Sequence, residues 1–316
     1  GHISVDNSEL EDNVLIKSDG MPTYNFANVI DDHTMNISHV IRGTEYLSST
    51  PKYNLLYDAF NWQRPIYIHL QPIMRDANSK LSKRKGDPSF EDFLEQGYLT
   101  DAIINYIALL GWSSKEDREK YSLPELIQKF DIQGLSKSAS IFDAVKMKWL
   151  NGVYIKELSA SSFFELSLPF LKKAQSNWGI RFNIDLKFLA TLLQGRCDLL
   201  TDCIQLTEFL KVKNFKSFEL EQLFNSKQRT DSALCLEMLP KLIALFKGLD
   251  SGCDAHEVLK QFSTDNNYKV AQVMWILRVS ITGSAVTPGG ATDMLKLFGF
   301  KESVKRLQNT LTRLKV

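Results

Sequence analysis

From residue 90 to the end of this 316-residue chain, apolar side chains recur three and four positions apart in one segment after another. That period lines them up on one stripe of an α-helix, and a succession of such stripes can leave water only by packing against one another. The first segment is FEDFLEQG; the second is LTDAIINYIALLGW, where Thr100 is suited to cap the helix start and Gly111 to end it. SLPELIQKF and SIFDAVKMKWLNGVYIKEL keep the same period. Beyond residue 160 it returns in DLKFLATLLQG, DCIQLTEFL, LCLEMLPKLIALFKG, KVAQVMWILRVSIT, ATDMLKLFG and SVKRLQNTLTRL, with no strand signal between them. Pro240 falls inside one of these and is expected near a helix start or a kink, because an interior proline costs about 3 kcal/mol. No fixed-length repeat relates the segments, so a compact all-α domain is expected and not a solenoid.

The part before residue 90 is of another kind. DNVLIKSDG and SHVIRG are short β-branched runs ending in glycine, TPKYNLLYDAF has helical spacing behind a threonine cap, and PIYIHLQPIM reads as a further strand. Strands alternating with helices indicate a parallel α/β arrangement, yet three strand signals are too few for a complete doubly wound sheet. The expected fold class is therefore α/β plus all-α, with only half of a doubly wound domain at the front.

Composition narrows the environment. The chain is 44% hydrophobic and 24% charged, ordinary for a globular protein. Its four cysteines, Cys197, Cys203, Cys235 and Cys253, form no CxxC pair and have no histidine at metal-ligand spacing, so neither a disulfide framework nor a zinc site is indicated and a reducing cytoplasm is expected. No apolar run approaches the roughly 20 residues of a membrane span, and GHISVDNSEL lacks the apolar stretch of a signal peptide. The net charge of +1 hides an asymmetry. Residues 1–160 carry 17 Lys and Arg against 22 Asp and Glu, whereas residues 161–316 carry 21 against 15. A basic half suits a phosphate backbone, although helical surfaces that bind nothing often have a similar excess.

The segment with most chemistry is Ser79-Lys80-Leu81-Ser82-Lys83-Arg84-Lys85-Gly86-Asp87, between a strand signal and a helix signal. Four cations and two hydroxyls on one loop can follow negative charge as it builds on a transferring or departing phosphate. The spacing is not that of a P-loop. The string Lys80-Leu81-Ser82-Lys83-Arg84 resembles the KMSKS signature of class I aminoacyl-tRNA synthetases, in the KLSKR form of the glutamyl enzymes. Upstream, LIKSDGMPTYNFANVIDDHTMNISHVIRGTEYLSSTPK resembles the same family almost continuously. FEDFLEQGYLTDAIINYIALLGWS does so downstream, with weaker likeness through IFDAVKMKWLN and again at LRVSITGSAVTPGG.

The resemblance implies a bacterial-type glutamyl-tRNA synthetase with three parts: residues 1–70 as the C-terminal half of a Rossmann catalytic domain, 71–160 as a stem-contact region with the lysine loop, and 161–316 as a helical anticodon-binding domain. It implies ATP, L-glutamate and tRNA(Glu) as substrates, with tRNA(Gln) as a second candidate, Mg²⁺ carried by ATP, no protein-bound metal, and a cytoplasmic monomer. Lys83 is then expected to bind the ATP phosphates while Lys80, Ser82 and Arg84 shape the loop. Tyr24, Asn28 and Arg42 are expected at the glutamate, because a guanidinium can pair bidentately with a carboxylate and reject an amide. Glu45 is expected near ATP, and Thr287, Pro288 and Arg196 near the anticodon. Asp31-Asp32-His33 resembles a metal cluster only superficially and is expected to be turn and scaffold. Trp62, Trp112 and Trp149 are expected in cores.

The family's HIGH signature, on the opposite wall of its nucleotide site, has no counterpart in these residues, and His2 lies in the wrong context to replace it. The 316 residues alone are therefore expected neither to activate glutamate nor to charge tRNA. A free-standing tRNA-binding or regulatory module of the same ancestry is the alternative expectation.

Overall fold

The structure, a computed structural model, describes residues 4–82, 84, 86–114, 116–249 and 253–315. Among the described residues fourteen α-helices and two strands follow in order: α1 (Tyr24–Thr34), β1 (His39–Gly43), α2 (Thr50–Ala59), β2 (Ile66–Leu70), α3 (Phe90–Glu95), α4 (Thr100–Leu109), α5 (Leu123–Lys129), α6 (Ala144–Glu157), α7 (Ala160–Gln175), α8 (Leu186–Leu193), α9 (Asp202–Leu206), α10 (Val212–Ser217), α11 (Ser232–Lys247), α12 (Ala255–Asp265), α13 (Val270–Thr282) and α14 (Ala291–Leu314). They divide into two compact units, one of residues 1–89 and 103–144, the other of 90–102 and 145–316.

In the first unit β1 and β2 pair in parallel, with Val40 opposite Tyr67 and Arg42 opposite His69. Side chains of laterally paired residues share a face, so Arg42, Tyr67 and His69 project together. DNVLIKSDG does not form a strand: it closes a tight turn in which Ile16 bridges Pro22 and Gly20 sits at φ 85°. Helix α1, which covers YNFANVIDDHT, has no side-chain cap at Thr23 and buries only Val29. It packs on α2 through Val29, Tyr53 and Tyr57. Asp31, Asp32 and His33 are helical and not in a turn, and His33 stacks on Trp62 with ring centroids 3.7 Å apart. A second small core joins Trp112, Tyr121 and Leu126. Above it, Ser122 and Glu125 cap the start of α5 reciprocally.

The second unit is the helical body that the apolar period requires. Leu189, Leu193, Met238, Leu239, Leu242, Ile276 and Leu277 are fully buried in one core. Asp185, Asp231 and Asp254 each accept backbone N–H groups at the starts of α8, α11 and α12. Asn151, entirely buried on α6, accepts from Leu99 N–H at 2.8 Å and donates to the Asp198 carbonyl at 2.5 Å, tying three segments together. Pro240 is neither at a helix start nor at a break; it lies in the interior of α11 with its ring exposed. Its neighbours Met238, Leu239 and Leu242 anchor the helix from the buried side. The two final apolar segments form two helical stretches, together labelled α14, that meet across a kink at Gly299, whose φ of 72° and ψ of 162° are not helical. Trp112 is buried, but Trp149 is 52% exposed on α6, one turn from Val145 at 80%. Lys146 and Lys148 precede that tryptophan, and its ring lies on the solvent side of the helix, contrary to the core position expected from its apolar setting.

Candidate substrate and nucleic-acid sites

In the first unit the chemistry converges on Arg42. Its guanidinium carbon lies 5.2, 4.9 and 4.9 Å from the ring centres of Tyr46, Tyr53 and Tyr67. An Nη2–H donates to Thr50 Oγ1 at 2.7 Å, and Nε–H points at His69 Nε2 at 3.4 Å. The Thr50 hydroxyl in turn donates to the Tyr46 carbonyl at 2.8 Å. Burial, and then the Arg42 charge, lower the His69 pKa, leaving a neutral ring able to accept. Burial pushes the Tyr67 phenol up to about 12, so no phenolate competes for the guanidinium. Arg42 has five N–H donors and these contacts engage two, so the remainder have no partner among the described residues.

Tyr24, at the start of α1, is 62% exposed, with its ring 6.3 Å from that of Tyr46. A hydrogen bond between the two phenols is the first cause of the upward shift of Tyr46. Asn28 lies one helical turn beyond Tyr24, and its Oδ1 is buried without a partner among the described residues. Such an oxygen costs about 1–3 kcal/mol unless a ligand or water meets it. Glu45 is exposed, with its carboxylate folded over the Gly43 backbone, so a side chain at that glycine would displace it. Tyr24, Asn28, Arg42 and Glu45 thus gather on α1, β1 and the turn after β1. A cavity of about 450 Å³ between α2, β2 and the first described residues is lined by Thr50, Tyr67 and His69, but not by Arg42 or Tyr24.

The lysine loop is built separately. Met74 bridges Lys80 on one side and Ile141 on the other. Asp76 Oδ1 accepts the N–H groups of Asn78 and Ser79, closing the turn. Asp87 accepts from Ser82 N–H at 2.6 Å and from Arg75 Nη2 at 2.7 Å, holding the base of the loop shut. Lys80 and Arg84 are exposed and Ser82 is half-buried. Lys83, the expected phosphate contact, lies outside the described residues. Among the described residues the loop's hydrogen bonds run to Ile73, Asp87 and its own turn, not to the Arg42 cage.

In the second unit Arg196 is exposed at the end of α8. Arg278 on α13 stands near enough for the two charges to repel, and burial followed by that repulsion lowers the Arg278 pKa. Arg278 also lies 5.0 Å from the Trp275 ring centre, and its Nε is buried without a partner among the described residues. Thr287 and Pro288 are buried, and the Thr287 hydroxyl donates to the Gly289 carbonyl at 2.7 Å, leaving Val286 as the exposed tip of that turn. No group of three His, Cys, Asp or Glu side chains among the described residues is placed to hold a metal, and no described helix is long and apolar enough to cross a membrane.

The sequence pointed to Arg42 and Tyr24 but not to the residues that hold them. Tyr46, Thr50 and Tyr53 recur at spacings of four and three, and Tyr67 and His69 at two, which is the signal that would have found them. Arg278 gave no such signal.

Comparison with known proteins matches residues 1–149 to the tRNA synthetases class I (E and Q) catalytic domain and residues 162–311 to an anticodon-binding domain. Each of the two matched parts is thus similar to a part of the class I tRNA synthetases (E and Q). Among its relatives, a glutamate–tRNA ligase of Clostridium botulinum is 46% identical over 319 residues, covering 100% of this chain and 64% of that protein. One of Clostridium kluyveri is 44% identical over 318 residues with the same coverage. A solved glutamate tRNA ligase of Elizabethkingia meningosepticum, in complex with its amino acid, superposes with a TM-score of 0.80 at 31% identity, over 99% of this chain and 64% of that one. This chain therefore spans about 64% of the length of those relatives.

Proposed function

We propose that the protein to which these residues belong is a glutamate–tRNA ligase, and that the unengaged donors of Arg42 carry the reading. A guanidinium held by three tyrosine rings and two hydrogen bonds is already in place for a second carboxylate, the side chain of glutamate. Glutamine in the same place would leave it unpaired. Tyr24 offers a hydroxyl at the rim and Asn28 Oδ1 an acceptor for the substrate ammonium. In the first half-reaction the α-carboxylate attacks the ATP α-phosphorus and pyrophosphate departs. Lys83, on the loop clamped by Asp87, meets the charge on the leaving group, Lys80, Ser82 and Arg84 shape the loop, and Glu45 lies toward the nucleotide. Mg²⁺ arrives with ATP. In the second half-reaction a ribose hydroxyl of the tRNA terminus attacks the adenylate carbonyl and AMP departs.

Residues 1–70 then belong to the catalytic domain, 71–160 to the stem-contact region and 161–316 to the anticodon reader. There Arg196 and Arg278 face unpaired bases while Thr287 and Pro288 shape the adjoining turn. The tRNA is tRNA(Glu), or tRNA(Gln) as well, and the setting is a cytoplasmic monomer. Pyrophosphate exchange by the full-length protein tests the reading. Arg42→Lys, which keeps the charge and loses the fork, is expected to raise KM for glutamate about tenfold or more and leave KM for ATP within about twofold. An unchanged glutamate KM would refute it. The 316 residues alone are expected to show no glutamate-dependent exchange.

A further inference from the structure

We infer that a basic recess between the 179–182 loop, α10 and the second half of α14 holds the sugar–phosphate backbone of the bound tRNA, at a place separate from Arg196 and Arg278. The recess has a volume of about 490 Å³ and is lined by Arg181, Lys216, Lys305 and Glu302 together with Phe182 and Val212. Arg181 and Lys216 are exposed and make no ion pair among the described residues. The carboxylate at the site is already engaged: Glu302 is 3.1 Å from Arg306 Nε and 3.8 Å from Lys305 Nζ. Arg306 itself is only 3% exposed. It donates to the Ile281 carbonyl at 2.8 Å and lies 4.2 and 4.5 Å from the Phe298 and Phe215 ring centres. The recess therefore has a fixed cation beneath its floor and three more on its rim, against one neutralised acid. That is a surplus a polyanion can neutralise, with release of its counterions.

The chemistry favours backbone over base. Phe182 is committed edge-on to Phe298, at 5.9 Å between centroids, so its ring is not free to stack on a base, and the rim presents cations without an amide reader. Three segments converge on the recess, and Gly299 sets the direction of the one that carries Glu302 and Lys305.

This inference rests on the tRNA-binding reading, and the test separates the two. Binding of an unmodified glutamate tRNA transcript to the 316-residue chain is measured over a range of KCl concentrations. The chain, a neutralised variant (Arg181→Gln, Lys216→Gln, Lys305→Gln) and a charge-keeping variant (Arg181→Lys, Lys216→Arg, Lys305→Arg) are compared, with circular dichroism to check the fold. The neutralised variant is expected to bind at least about tenfold more weakly at low salt. Its slope of log affinity against log salt should be shallower by about 2, since each phosphate contact contributes about 0.7–0.9. The charge-keeping variant is expected to retain both affinity and slope. If the parent chain binds and the neutralised variant matches it, the recess is not a backbone site and the tRNA reading stands. If the charge-keeping variant loses as much as the neutralised one, the attraction is not electrostatic and the inference fails. No binding by the parent chain overturns the tRNA reading and the recess with it.

Discussion

Replacing Arg42 by Met keeps the unbranched stem and removes the guanidinium, which makes its energetics separable. The lost hydrogen bond to Thr50 joins a charged donor to a hydroxyl, a kind worth about 1.5–3 kcal/mol, and each of the three ring contacts contributes about 0.5–1 kcal/mol at a partly exposed site. Against this, Met no longer has to be stripped of the water that a half-buried cation gives up. A net loss of about 2 kcal/mol is expected, or roughly 5–8 °C in the calorimetric transition of the unit formed by residues 1–89 and 103–144. A second readout is independent of stability. The His69 pKa lies below its ordinary 6.5 because of burial first and the Arg42 charge second. A histidine depressed in the folded state stabilises fully above 6.5, and that contribution is lost as the pH falls through the folded value. Without Arg42, the imidazole signals of His69 should titrate higher yet still below 6.5, and the acid-side loss of stability should shrink. An unchanged or raised transition together with an unmoved His69 would refute the cage as a working electrostatic unit.

Arg306→Leu should destabilise the helical unit by about 3 kcal/mol, because the Ile281 carbonyl and Glu302 both lose a partner; a denaturant titration reads it. Asn151→Ala should cost about 2–3 kcal/mol, since Leu99 N–H and the Asp198 carbonyl are stranded inside, and native-state hydrogen exchange should show the loss at Leu99 first. Glu125 is held at about 2 by the Ser122 backbone and hydroxyl and by Arg118, so its contribution to α5 is complete above 4.5 and disappears as the pH falls through about 2. In Glu125→Gln, the protection of α5 amides relative to their intrinsic exchange rates should lose the change across that window that Glu125 causes.

Residues whose role depends on local geometry were readable in the sequence, and those placed by other elements were not. SHVIRG and PIYIHLQPIM were legible as strands from their β-branched runs, and their alternation with helices indicated the parallel pairing that β1 and β2 adopt. DNVLIKSDG looked like a strand, but no neighbouring strand among the described residues pairs along it, so its backbone bonds close a turn. Pro240 survives inside α11 because tertiary packing outweighs its local cost. Trp149 shows the converse: an apolar setting does not reveal which side of a helix faces inward. At the site, the family string located Arg42, but only the strand register and two helical turns bring five side chains around it.

The Gly299 joint selects for handedness and not for size. A methyl group built there would meet nothing within 4 Å, yet the backbone angle is one that an L-residue resists. Its mirror image has the opposite preference. D-Alanine introduced by chemical ligation should take up that backbone angle without strain and, by stiffening the unfolded chain, raise stability by about 0.4–1 kcal/mol, whereas L-alanine at the same atom count should lower it.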